Sequence, residues 1–84
     1  MNYNVAAKIK VYVDDPSALE KVKEEIGKLA KLQNAEEQDV GFGIKALMIT
    51  VLFDDSQGGT EELEEKIKAI EHVSQTEVVG VDRL

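Results

Sequence analysis

The stretch Val5-Ala6-Ala7-Lys8-Ile9-Lys10-Val11-Tyr12-Val13-Asp14-Asp15-Pro16 decides how the chain begins to fold. Val5, Ala7, Ile9, Val11 and Val13 recur at every second position, with Lys8, Lys10 and Tyr12 set between them. A period of two marks a strand with one buried face, because successive side chains point to opposite sides of the pleat. Pro16 ends the strand, since it has no N–H for a ladder and its fixed φ suits the first position of a helix. Asp15 is placed to cap that helix, and Ser17 with Glu20 offers a capping box one turn later. Leu19, Val22, Ile26 and Leu29 then recur at spacings of three and four, which predicts a helix to about Leu32. Gly27 weakens its interior without ending it.

Further along, residues 33–39 are polar, and a short second strand is expected from Glu36 to Val40. Ile44 to Phe53 reads as a long strand, with Leu47, Ile49, Val51 and Phe53 on its core face. Ile44, Ala46, Met48 and Thr50 fall on the other side. Residues 54–59 form a loop by composition, and Thr60 is an apt N-cap for a second helix whose stripe is Leu63, Ile67 and Ile70. Glu61 and Glu62 suit the positive end of that helix. Ser74 to Leu84 reads as a last strand around Val78, Val79 and Val81. The order β-α-β-β-α-β implies an α+β, ferredoxin-like fold: a four-stranded antiparallel sheet, strand order 4-1-3-2, with two helices on one face. Ile44, Ala46 and Met48 would then lie on the bare face as exposed apolar residues, a candidate contact surface.

Eighty-four residues are enough for one domain spanning residues 1–84. The chain is 43% hydrophobic and 32% charged, as expected of a globular fold, with seventeen acidic against ten basic residues and a net charge of −7. That balance argues against a nucleic-acid binder, which needs cations to displace counterions from phosphates, and against an anionic membrane surface. The lack of cysteine excludes disulfides, zinc–thiolate sites and thiol nucleophiles. No apolar run is long enough to cross a bilayer, and Met1-Asn2-Tyr3-Asn4 lacks the features of a signal peptide, so a cytoplasmic location is expected.

Few residue sets carry chemistry. Gly41-Phe42-Gly43-Ile44-Lys45-Ala46 fits the dinucleotide fingerprint in letters, but a strand follows it where a helix is required. Its glycines instead permit a bend that presents Phe42 on a tight turn, either as a core plug or as an exposed anchor for a partner. Asp54, Ser56, Gly58 and Glu65 fall at calcium-loop offsets, but Gly58 has no side-chain oxygen and no helix precedes the loop. Neither a metal nor a cofactor is expected. The glutamate pairs read as solvated faces without a catalytic partner, and His72 reads as a cation near the end of the second helix. The single arginine, Arg83, is either a solvated chain end or a positioned cation on a sheet edge. No catalytic residue set emerges, so the protein is not expected to be an enzyme.

The run Val40-Gly41-Phe42-Gly43-Ile44-Lys45-Ala46-Leu47, the Gly-Gly-Thr-Glu at 58–61 and the ending Val81-Asp82-Arg83-Leu84 resemble the archaeal elongation factor 1-beta family, over essentially the whole chain. The resemblance implies the same ferredoxin-like fold and a guanine-nucleotide exchange factor for the GTPase elongation factor 1-alpha, in its GDP-bound and nucleotide-free states. It further implies that Arg83 stands where eukaryotic relatives carry a penultimate lysine that reaches the magnesium site beside the phosphate loop. Phe42 matches an aromatic that meets a pocket on the second domain of the GTPase. Phe42, Lys45, Arg83 and Leu84 are therefore the expected partner-binding residues, in a protein expected to work as a monomer without direct nucleic-acid contact. A second reading, resting on fold class alone, is a ligand-sensing regulatory module that dimerises through its sheet.

Overall fold

A computed structural model describes residues 3–84, with Gln57 described by its backbone only. Met1 and Asn2, half of the stretch read above for a signal peptide, lie outside the described residues. The elements are β1 (Val5–Val13), a 3-10 turn (Pro16–Ala18), α1 (Leu19–Leu29), β2 (Lys31–Gly41), β3 (Ile44–Phe53), a second 3-10 turn (Asp55–Gln57), α2 (Thr60–Lys68) and β4 (Val73–Arg83). All three strand pairings are antiparallel, and the order is β2-β3-β1-β4, as the element order implied.

The two-residue period of β1 is realised fully. Val5, Ala7, Ile9, Val11 and Val13 are all buried, and they join Leu47, Ile49, Val51 and Phe53 of β3 in one core. Leu19, Val22 and Ile26 of α1 and Leu63 and Ile67 of α2 close that core from the same side. Each such aliphatic side chain removed from water contributes about 1.5–3 kcal/mol, which holds both helices to one face of the sheet. The Thr76 hydroxyl, buried on β4, donates to a Glu64 carboxylate oxygen at 2.8 Å, so the contact between α2 and β4 leaves no orphaned hydroxyl.

Several local expectations need correction. The first helix stops at Leu29, because Ala30 turns extended (φ −156, ψ 167), and β2 runs from Lys31 to Gly41 rather than over Glu36 to Val40. The cause is a register shift between Leu32 and Asn34, which leaves Gln33 without a ladder partner. Leu32 opposes Val51 and Ala35 opposes Ile49, so two core-facing residues stand three apart and mimic a helical spacing.

Asp15 caps the helical segment that Pro16 opens, as expected: it accepts from the Ser17 backbone N–H at 3.0 Å and its hydroxyl at 2.8 Å, at a 3-10 turn that runs straight into α1. The Ser17–Glu20 capping box does not form, and Glu20 pairs with Lys23 at 3.3 Å. Thr60 is the first residue of α2, and the N-cap is Gly59. His72 lies beyond α2 in the turn before β4, at φ 75, with its Nδ1 3.2 Å from Asp14 Oδ1.

The bare sheet face also differs. Ala46 is fully buried there, between its cross-strand neighbours Tyr12 and Gln38, and Ile44 and Met48 are half-covered. Larger side chains directly opposite a small one on the same face screen it from water. The expected apolar patch is therefore interrupted at its centre.

Candidate partner-binding site

Strand register sorts the four expected site residues into two groups. Gly41 opposes Ile44, and Val13 opposes both Lys45 and Val73, so the β2–β3 turn lies at the end of the sheet where β1 finishes. Val5 opposes both Phe53 and Arg83, which puts the last residues where β1 begins. Eight steps of about 3.3 Å separate these ends, roughly 26 Å along β1. The longest dimension of the molecule is 38 Å, so Phe42 with Lys45 and Arg83 with Leu84 occupy opposite poles.

At the first pole, Gly41, Phe42 and Gly43 have φ of 89, 57 and 75. Three successive left-handed residues make the reversal, and glycine takes that conformation without the Cβ clash that other residues suffer. Phe42 is the exception: a bulky side chain in the left-handed region costs about 1–2 kcal/mol. It recovers nothing by burial, because Phe42 is exposed to 103% of its reference area. Of the two readings left open by the sequence, the core plug is eliminated. Lys45 stands three residues on, with its Nζ 3.4 Å from Asp39 Oδ1 across the hairpin.

At the second pole, Arg83 closes β4, an edge strand, on the face that carries the helices. Its Nη2 donates to Asp55 Oδ2 at 2.8 Å, although its side chain remains 73% exposed. Asp55 is itself fixed by Asn4. The Asn4 Nδ2 donates to Asp55 Oδ1 at 2.9 Å, and the Asp55 backbone N–H donates to Asn4 Oδ1 at 3.0 Å. The Asn4 backbone N–H donates to Phe53 O at 3.1 Å, and the Asn4 carbonyl accepts from the Leu84 N–H at 3.0 Å. Arg83 is thus a held cation, and exposed Leu84 is tied back to the start of β1.

Sequence reasoning missed Asn4 and Asp55. They lie 51 residues apart, and no local pattern links them. Asp54, by contrast, serves its own turn: it accepts from the Ser56 backbone N–H at 3.0 Å and the Ser56 hydroxyl at 2.8 Å, which in that order lower its pKa from 3.8. No cluster of side chains suited to a metal ion is present among the described residues.

A groove of about 720 Å³ runs between the α1–β2 turn and the start of α2, past Leu29, Phe53, Gly59 and Leu63. None of Phe42, Lys45, Arg83 and Leu84 lines it. Those four residues lie at the two ends of the body, with Phe42 and Leu84 exposed, Arg83 paired to Asp55 and Lys45 partly covered beside Asp39. No helix among the described residues is long and apolar enough to cross a membrane.

Comparison with known proteins places the chain in a family. A solved domain with a similar fold is the C-terminal domain of the MgtC protein from Mycobacterium tuberculosis, with a TM-score of 0.68 at 15% identity, covering 100% of this chain and 92% of that one. At that identity the likeness shows the fold alone. Sequence relatives are more informative. The chain is 39% identical to elongation factor 1-beta of Methanosphaera stadtmanae, covering 96% of this chain and 97% of the relative. It is 40% identical to that of Methanothermobacter thermautotrophicus over 96% and 97%. It is 41% identical to that of Metallosphaera sedula over 96% of each. Residues 5–84 match the model of the EF-1 guanine nucleotide exchange domain. The match takes in both poles of the sheet, and the chain belongs to the elongation factor 1 guanine nucleotide exchange family.

Proposed function

We propose that this protein is a guanine-nucleotide exchange factor that promotes GDP release from elongation factor 1-alpha. The observation that carries this reading is Arg83: the last residue of an edge strand, charged, largely exposed and with its guanidinium paired to Asp55, in a chain of net charge −7. A cation presented in this way can enter the phosphate and magnesium region of a nucleotide site and weaken the contacts that retain GDP. Arginine is planar and forked where lysine is a point charge, so its insertion depends more on orientation. Phe42 anchors the other pole in an apolar pocket of the GTPase, with Lys45 beside it and Leu84 beside Arg83.

No covalent step is needed. A protein that binds the nucleotide-free GTPase more tightly than the GDP form must weaken GDP binding by the same factor. Residues 1–84 act as a single exchange domain, as a monomer, through protein contacts and without direct binding to nucleic acid or membrane. The test is release of a fluorescent GDP analogue from archaeal elongation factor 1-alpha. Acceleration by substoichiometric amounts of the protein is expected; no acceleration of a demonstrably competent GTPase would refute the proposal.

A further inference from the structure

Asn4 uses every polar group it has on one corner of the molecule. Its side chain makes a reciprocal pair with Asp55, and its backbone joins Phe53 on one side and Leu84 on the other. The side-chain pair leaves Asp55 Oδ2 free to face outward, and Arg83 Nη2 sits on that oxygen. The order of contacts is Asn4 to Asp55 to Arg83, with the Leu84 N–H returning to Asn4 and closing a ring. An exposed ion pair adds little to stability, so the arrangement calls for a different explanation than holding the fold.

We infer that Asn4 and Asp55 are positioning residues that pre-orient the Arg83 guanidinium for nucleotide exchange, an inference that rests on the function proposed above. A long side chain near a chain end samples many rotamers, and ordering it on binding costs free energy. Asp55 removes part of that cost in advance by selecting one direction for the guanidinium. Because the pair is exposed, it also releases readily when phosphate oxygens compete for the same cation. Asp55 therefore aims the cation without trapping it. Asn4 acts one step further back, by fixing the rotamer of Asp55 and the path of the last residue.

The test is a steady-state exchange assay on the full chain and its variants, separating maximal rate from half-saturating concentration. Asp55→Asn keeps the shape and the oxygen that accepts from Asn4, but presents an amide N–H to the guanidinium. It is expected to lower the maximal rate about tenfold, within the range of coupling between contacting residues, while leaving the half-saturating concentration unchanged. Asn4→Ala should lower the same parameter, and the double variant should be no worse than the weaker single one, because both changes break one chain of contacts. Raising the salt should shrink the advantage of the wild type over Asp55→Asn, which a purely structural role would not do.

An unchanged or faster maximal rate in Asp55→Asn would overturn the positioning role, as would fully additive losses in the double variant. If Asn4→Ala fails to fold, Asp55→Asn with its salt profile decides alone. A wild-type protein that does not accelerate exchange would overturn the proposed function and this inference with it. Activity in the wild type with no change in the variants would overturn only this inference.

Discussion

Phe42 and Arg83 sit at opposite poles of one sheet, placed there by the register in which Val13 opposes Lys45 while Val5 opposes Arg83. The strands between them form a ruler set by backbone geometry, and their central residues are buried against both helices. Binding at one pole therefore fixes where the other pole can reach. In the proposed exchange reaction, Phe42 supplies attachment and Arg83 supplies the perturbation.

Phe42 offers a test of whether its exposure serves binding. Phe42→Asn should be neutral or slightly stabilising, by a few tenths of a kcal/mol, because asparagine tolerates the left-handed region better than a bulky residue. The same substitution should weaken the complex with the GTPase by tenfold or more, as expected for an aromatic anchor. Urea unfolding and a titration of the complex check the two halves. A loss of stability without loss of binding would make Phe42 a folding residue.

The charge at Arg83 can be separated from its shape. Arg83→Lys should keep a measurable part of the exchange activity, since lysine retains the cation, whereas Arg83→Ala and removal of Arg83-Leu84 should abolish it. Both substitutions should unfold within about 0.5 kcal/mol of the wild type, as expected at an exposed side chain. Equal activity in the lysine and alanine variants would show that charge at this position is irrelevant.

Core packing predicts a different pattern. Ile26 is fully buried on α1, and Ile26→Ala should cost about 2–5 kcal/mol through lost transfer energy and a cavity. Urea denaturation measures it. A cost below about 1 kcal/mol would mean that α1 is not packed as described.

The acid side of the stability curve follows from Asp54. Its pKa lies below 3.8 because the folded turn gives it the Ser56 backbone N–H first and the Ser56 hydroxyl second. A depressed carboxyl pKa stabilises the fold above the unfolded value and loses that contribution as the pH falls through the folded one. Ser56→Ala removes only the hydroxyl bond. The stability difference from wild type should therefore be present at neutral pH and shrink below 3.8, as read from urea midpoints across pH. A difference that stays constant with pH would contradict this.

The sequence made the fold legible wherever one face of an element was fully buried. Val5–Val13 buries every second residue and Ile44–Phe53 is a long, mostly apolar run with Leu47, Ile49, Val51 and Phe53 on its core face, and both strands lie in the centre of the sheet. β2 was largely hidden because it is an edge strand with mostly exposed residues, and because the shift at Gln33 put its two core contacts three residues apart. At the candidate site, Phe42 was readable from its flanking glycines and Arg83 from its isolation as the one arginine. Their separation became visible only through strand register. Asn4 and Asp55 were not readable at all, since hydrogen bonds between distant side chains leave no periodic trace.

The division of labour between the two poles is the central claim, and one assay tests it directly. Release of a fluorescent GDP analogue from archaeal elongation factor 1-alpha would be followed against increasing wild type, Phe42→Ala and Arg83→Ala. The account predicts that Phe42→Ala raises the concentration needed for half-maximal exchange while approaching the wild-type maximal rate, and that Arg83→Ala loses the maximal rate at any concentration. Two variants that fail in the same parameter, or an Arg83→Ala protein with the full maximal rate, would contradict it.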